Sequence, residues 1–144
     1  HSMADKPDLR VQVRIVPLIG PGKMRLLEAI DRLGSISAAA RAIGMAYPNA
    51  WKLVDSLNRH FREPLVERVM GGRRGGGASL TETGRSVLGI YRSVEAKARI
   101  MFAGDIDALD QLLSPNSDWK DADEAEDGSP CPPGRRKRMP PPAD

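Results

Sequence analysis

What most restricts the fold of this chain is a dense run of helix-start and helix-stop signals between Gly34 and Gly84. It opens GSISAAARAIGMAYPNAWKLVDSLNRHF and passes through LVERV into the glycine- and arginine-rich GGRRGGG, Gly71 to Gly77. Ser35-Ile36-Ser37 predicts a helix start, because a serine at the N-cap accepts a hydrogen bond from a first-turn amide. The helix it opens, AAARAI, is short and alanine-rich, so a second helix can cross it closely, and Gly44 ends it. After the turn Gly44-Met45-Ala46, a further helix is expected from Tyr47 or Pro48 to Phe61. Pro48 suits the first helical position, where a missing N–H costs nothing. Ala50, Leu53, Val54 and Leu57 recur at the spacing of a helix face turned to a core. Trp51 and Lys52 fall off that stripe, and Trp51 reads as core rather than groove.

The flanks complete the pattern. Leu9, Val11, Val13 and Ile15 alternate with Arg10, Gln12 and Arg14, which predicts a half-buried strand over Leu9–Val16. Pro17 and Gly20-Pro21-Gly22 end it. A first helix is expected over Lys23–Leu33, with Met24, Leu27, Ile30 and Leu33 on one face and Gly34 as its C-cap. Leu65–Val69 and Ala78-Ser79-Leu80 read as the two strands of a hairpin whose tip is GGRRGGG. Thr81 then N-caps a long helix. Val87, Tyr91, Val94, Ala98 and Met101 recur along it at helical spacing, and Ile106, Leu109, Leu112 and Leu113 extend the pattern past Gly104. One long amphipathic helix or a helix pair would fit. A stripe of that length beside a small domain is expected to pair with a second copy of the chain.

The fold class this implies is mainly α: a winged helix-turn-helix with an N-terminal strand, a β-hairpin wing and a long C-terminal dimerisation helix. The expected organisation is a tag remnant and flexible N-terminus (1–8), the winged helix-turn-helix (9–80), the dimerisation helix region (81–113) and a disordered tail (114–144). The tail is rich in Pro, Asp, Glu, Ser and Gly and closes with RRKRMPPPAD, a composition that cannot bury a core.

Charge and composition narrow the function. The net charge is only +3, but it is unevenly placed. Residues 1–80 carry 13 Lys and Arg against 7 Asp and Glu, whereas 114–134 carry 1 against 6. A basic body suits a polyanionic partner, although a solvated surface of mixed charge gives the same counts. Cys131 is the only cysteine, so no disulfide can form within the chain. No apolar run reaches the ~18 residues that a membrane helix requires. With His1 set aside as an expression scar, His60 is the only histidine. Neither a histidine-rich metal site nor a Ser/His/Asp hydrolase has the residues it needs. Glu63 and Glu67 have no partner in a matching role. No catalytic residue, metal ligand or cofactor site is expected, and the chain is not read as an enzyme.

Duplex DNA is the partner that the motif can serve. In a helix-turn-helix, the second helix enters the major groove and reads base edges from its N-terminal turn. Asn49 can pair with adenine through two hydrogen bonds, Lys52 can meet guanine or phosphate, and Tyr47 can meet a phosphate or a thymine methyl. Ser35 and Ser37 can donate to phosphates. Each has a purely local alternative: Ser37 as a cap, Tyr47 as a hydrophobic brace, Lys52 as a solvated charge. Arg73 and Arg74, held between glycines, can enter a minor groove or grip phosphates. The loop lacks the Gly-Lys-Ser/Thr ending of a P-loop and lies between hairpin strands, so it is not a nucleotide cradle.

The residues Gly34-Ser35-Ile36-Ser37, Ala39, Ala40, Gly44, Tyr47, Ala50-Trp51, Leu65-Val66-Glu67-Arg68, Gly71-Gly72, Gly75-Gly76-Gly77-Ala78, Leu80-Thr81 and Gly84 carry a more specific likeness. Over about residues 9–112 the chain resembles the N-terminal DNA-binding domain of molybdate-responsive ModE-type regulators, itself close to the winged helix of LysR-type regulators. The resemblance implies dimerisation through the long helix and binding to palindromic operators. It also implies a DNA face of Tyr47, Asn49, Lys52, Arg68, Arg73 and Arg74. Pro48 stands where that family often has a basic residue. Full-length members carry C-terminal Mop-type domains that bind molybdate, and this sequence is expected to supply the DNA-binding half without that sensor.

The reading is therefore a cytoplasmic, sequence-specific transcriptional regulator that binds an inverted repeat as a homodimer, with a link to molybdate metabolism through the resemblance. Val87, Tyr91, Val94, Ala98 and Met101 are the expected dimer contacts. A separate sensor protein could supply a signal. Two rivals keep the same fold: a winged-helix protein-interaction module, and a non-specific architectural DNA binder.

Overall fold

The computed structural model describes residues 7–70, 77–115 and 119. The expected wing tip with Arg73 and Arg74, residues 1–6 and nearly all of the expected tail, Cys131 included, lie outside the described residues. The described chain falls into two units, one holding 12–98 and the other holding 7–11 with the residues from 99 onward.

In the first unit the order is α1 (Pro21–Leu33), α2 (Ile36–Ala42), α3 (Tyr47–His60), β1 (Val66–Val69), β2 (Gly77–Leu80) and α4 (Glu82–Met101), of which 82–98 belong here. The two strands form an antiparallel hairpin with Val66 opposite Leu80 and Val69 opposite Gly77. This is the winged helix-turn-helix that the sequence predicts, three helices followed by a hairpin and a longer helix.

Helix α1 is the centre of the core. Pro21 opens it, and Gly34 closes it in the left-handed region at φ 75, its N–H donating to the Ile30 carbonyl. Glycine takes that conformation without the Cβ clash that other residues meet. Met24, Leu27 and Ile30 are buried, as their spacing predicts, but so are Leu26 and Ala29, whereas Leu33 is exposed. The wider apolar face has a cause. Helix α1 packs against α2 and α3 and also against β2 of the wing, so it is covered from more than one direction. In α2, Ala39 and Ala40 are buried, and their small side chains allow the neighbouring helices to approach closely.

The expected strand over Leu9–Val16 is not formed. Its alternation is nevertheless real: Leu9, Val11, Val13 and Ile15 are half-buried while Arg10, Gln12 and Arg14 are exposed. Periodicity fixes which side chains turn inward, but a strand also needs a neighbour for its backbone. Here the only pairing outside the named strands, among the described residues, is a single bridge between Ile15 and Ile19. The arm is held by a side chain instead. The Tyr91 hydroxyl donates to the Val13 carbonyl at 2.6 Å. Close by in the fold, Lys23 donates from Nζ to the Leu18 carbonyl at 3.0 Å. Burial, and then the charge of Arg14, hold the Lys23 ammonium below the usual lysine range.

Helix α4 starts at a fastening point. Thr81 accepts from the Gly84 N–H at 2.9 Å, the expected N-cap, and its own hydroxyl donates to the Pro64 carbonyl at 2.7 Å. The Thr81 N–H reaches the Leu65 carbonyl at 2.9 Å. Gly84 lies so close to that carbonyl that a Cβ would overlap it. Further along, Arg92 bridges Glu28 of α1 and the buried Glu95 of α4, the latter at 2.8 Å. Burial disfavours the Arg92 cation, but its bonds to Glu95 and Glu28 outweigh this and raise its pKa.

In the second unit the long apolar pattern breaks at Phe102. Helix α5 (Ala103–Gln111) follows, so a helix pair replaces the single long helix. Ile100, Met101, Leu109 and Leu112 are exposed there.

The Gly84 contact gives a direct check. Gly84→Ala forces a methyl group against backbone that cannot rotate away, and is expected to destabilise the domain by about 1–3 kcal/mol. Gly89→Ala, where a Cβ meets nothing within 4 Å, is expected to be neutral or stabilising. Urea unfolding of the two variants separates them.

Candidate nucleic-acid interface

The interface is built on α3 and its approach. Ser35 caps α2, its Oγ accepting from the Ala38 N–H at 3.0 Å. A serine hydroxyl that accepts still has its own proton to donate, so capping and phosphate contact are compatible at Ser35. Ser37, in the first turn of α2, is half-buried. Helix α2 ends at Ala42 with Ile43 as its C-cap, and Gly44 takes φ 72 to turn the chain. The Met45 N–H donates back to the Ala40 carbonyl at 2.8 Å, which closes the turn before α3.

Helix α3 begins with Ala46 as N-cap, and Pro48 occupies the second helical position instead of the first, an equally tolerant site. Ala50, Val54 and Leu57 are buried and Leu53 packs against the core. The helix therefore turns Asn49 and Lys52 outward, and both are exposed. Ser56 and Arg59 continue the same stripe at helical spacing. Arg59 is engaged by Asp55 at 3.1 Å and Ser56 by the His60 ring at 3.3 Å. Lys52 is the only charged residue between Tyr47 and Val54, so it sets the sign of the first two turns.

The other expected DNA residues divide by placement. Tyr47 is half-buried and packs against the core, as the brace reading expects, so it orients the start of α3. Arg68 is exposed on β1, opposite Ala78. Arg73 and Arg74 fall outside the described residues. Trp51 is half-buried and is not part of the core cluster, which corrects its assignment to the core. It lies on neither the inward stripe nor the Asn49–Lys52 stripe.

The expected dimer face also needs a correction. Tyr91 is fully buried in its own chain, because its ring fills the core and its hydroxyl holds Val13. It has no surface to offer a partner. Val87 packs against the same core, Val94 and Ala98 are half-buried, and Met101 is 71% exposed. Ile90, which the spacing argument passed over, is 62% exposed. Within residues 12–98, the outward apolar positions of α4 are therefore Ile90 and the half-buried Val94.

Asn58 was also missed. Its Oδ1 accepts from the Leu65 N–H at 2.8 Å and the Val66 N–H at 3.1 Å, and its Nδ2 donates to the Val66 carbonyl at 3.1 Å. One carboxamide thus pins the first wing strand to α3. The second strand is pinned to α1: the Ala78 N–H donates to the Gly34 carbonyl at 2.9 Å, and a Cβ on Gly77 would stand 2.6 Å from that oxygen. A polar residue on the flank of α3 was the only trace of this in the sequence. Among the described residues, no group of three or more His, Cys, Asp or Glu could hold a metal ion, and no helix is long and apolar enough to cross a membrane.

A helix pair whose first member is capped by Ser35, an outward polar stripe on the second helix and a hairpin anchored to both neighbours make up a winged helix-turn-helix. Residues 22–85 match the family model described as bacterial regulatory helix-turn-helix protein, lysR family. The relatives of the chain are more particular. The chain is 44% identical over 92 residues to the molybdenum transport protein ModE of Azotobacter vinelandii, covering 64% of this chain and 33% of that protein. It is 39% identical over 109 residues to the molybdenum-pterin-binding protein MopA of Rhodobacter capsulatus, covering 74% of this chain and 41% of that protein. The chain spans between a third and about two fifths of the length of these relatives. Streptococcus pneumoniae FabT, solved in complex with DNA, aligns with a TM-score of 0.43 at 22% identity over 62% of this chain and 61% of that one.

Two substitutions separate charge from base reading on α3. Lys52→Ala is expected to weaken binding to all duplexes and lower the salt slope by about one counterion. Asn49→Ala is expected to cost about 1–3 kcal/mol on the preferred duplex and little on others. Titrations of both variants at several salt concentrations, on preferred and scrambled duplexes, check the pair.

Proposed function

We propose that the chain acts as a sequence-specific DNA-binding transcriptional regulator, using α3 in the major groove and the hairpin as a wing, and that it binds an inverted repeat as a homodimer. The observation that carries this is the outward Asn49–Lys52 stripe at the start of α3, presented by a helix pair within the region that matches the lysR-family helix-turn-helix model. Ser35, Ser37 and Arg68 would hold phosphates around it, with Arg73 and Arg74 contributing from the wing tip. The exposed Ile90, with the half-buried Val94 one turn further along α4, supports pairing of α4 with a second copy, because apolar residues grouped on one helix face are better covered than solvated. A two-fold pair of recognition helices roughly 34 Å apart would read half-sites one DNA turn apart. The names of its relatives tie the proposed regulation to molybdenum. DNA contact by this domain needs no cofactor, and a cytoplasmic location follows from the same reading. Any effector could act through a separate sensor protein.

Selection from a random duplex library, with and without molybdate, tests the reading. An enriched inverted repeat is the expected result. Weak, salt-sensitive binding without enrichment would favour an architectural role, and no binding at all would favour a protein-interaction module. Ile90→Glu is expected to shift the sedimenting species to monomer and to weaken binding to the inverted repeat at least tenfold, while a single half-site is bound as before. An unchanged dimer would remove the α4 face from the account.

A further inference from the structure

The wing is tied to the rest of the domain by polar contacts from α3 through Asn58, from the Gly34 carbonyl at the end of α1 to Ala78, and from Arg85 of α4, whose Nη1 donates to the Leu80 carbonyl at 3.1 Å. On the β1 side the whole Asn58 carboxamide is engaged, with both of its atoms on consecutive backbone groups, Leu65 and Val66. Val66 is the first residue of β1 and is buried, whereas Glu67, Arg68 and Val69 beyond it are exposed. The strand therefore leaves the core immediately after the residue that Asn58 grips. Arg68 follows two positions later, on the same side of the strand as Val66.

We infer that Asn58 is a positioning residue for DNA binding: it fixes where Arg68 stands relative to Asn49 and Lys52, so that the recognition helix and the wing approach the duplex as one rigid piece. The inference rests on the DNA-binding reading above and adds a residue that does not itself touch DNA. The geometry supports it. Asn49, Lys52 and Asn58 share one helix, and a helix of this length is stiff. A carboxamide held by two accepted bonds and one donated bond has no rotamer left to change without breaking at least one of them. Water could replace these bonds energetically, but it could not keep the angle between α3 and β1. An arginine on the wing reaches its phosphate only if that angle is kept.

The test is a double-mutant cycle on a preferred duplex, with Asn58→Ala, Arg68→Ala and the pair. Each single variant is expected to lose about five- to tenfold in affinity, and the pair no more than about twofold beyond the weaker single, because without Asn58 the arginine is no longer placed to contribute. Asn58→Ala should also lower the salt slope by about one, as Arg68→Ala does, although it removes no charge. A merely structural role would leave the slope alone. Losses that multiply, or an Asn58→Ala chain that binds as the wild type does, overturn the inference. So does an Arg68→Ala chain with unchanged affinity. A wild-type chain that binds no duplex overturns the DNA reading and the inference with it. If Asn58→Ala does not fold, amide exchange of the wild type decides. The Leu65 and Val66 amides should be protected both free and on DNA, and rapid exchange at either in the complex refutes the role.

Discussion

The joint between α3 and the wing depends on one side-chain amide. Leu65 and Val66 follow α3 after a short non-helical link, and the N–H groups of both point to Asn58. Asn58 receives both and returns a donor to Val66. Such a carboxamide copies the edge of a β-strand, so β1 is paired before its hairpin partner is reached. From there the path is determined. Leu65 is fully buried, its carbonyl takes the Thr81 N–H, and Thr81 in turn caps α4. The direction of the long helix is thus set at the base of the wing, within a few residues of Asn58.

The other anchor is backbone alone. Gly34 ends α1 in a left-handed conformation and presents its carbonyl to Ala78, and Gly77 must lack a side chain for β2 to come that close. The next residue, Ser35, caps α2. The same corner therefore ends one helix, starts the next and docks the wing. This explains why α1 is buried more widely than a simple three-helix unit would require.

Much of this was legible in the sequence because its signals are local. Gly34, Gly44 and Thr81 are caps or turns whose partners lie within four residues, and the structure uses each as expected, while the serine cap of α2 falls to Ser35 and not to Ser37. The Gly77 and Gly84 positions were visible only as parts of a motif; their reason, close approach to the Gly34 and Leu65 carbonyls, is tertiary. Asn58 was silent because its partners lie across a link that no periodicity describes. Tyr91 was misplaced for a related reason. Helical spacing puts it on an apolar face but cannot say whether that face meets its own core or another molecule. The N-terminal arm shows the same limit for strands, since alternation reported burial correctly and pairing wrongly. The outward position of Asn49 and Lys52 followed from the α3 stripe alone.

The bond between Tyr91 and Val13 has a consequence for how the chain assembles. It spans 78 residues, whereas the Asn58 bonds span seven or eight. Short loops close sooner than long ones, so the α3–wing joint can form while the arm is still free. In synthesis from the N-terminus, Val13 and Ile15 emerge before the helices, and Val13 is fixed only once Tyr91 has been made. During that interval an alternating apolar segment with unpaired backbone is open to other chains. Arg10 and Arg14, set along that segment, charge the edge while it waits.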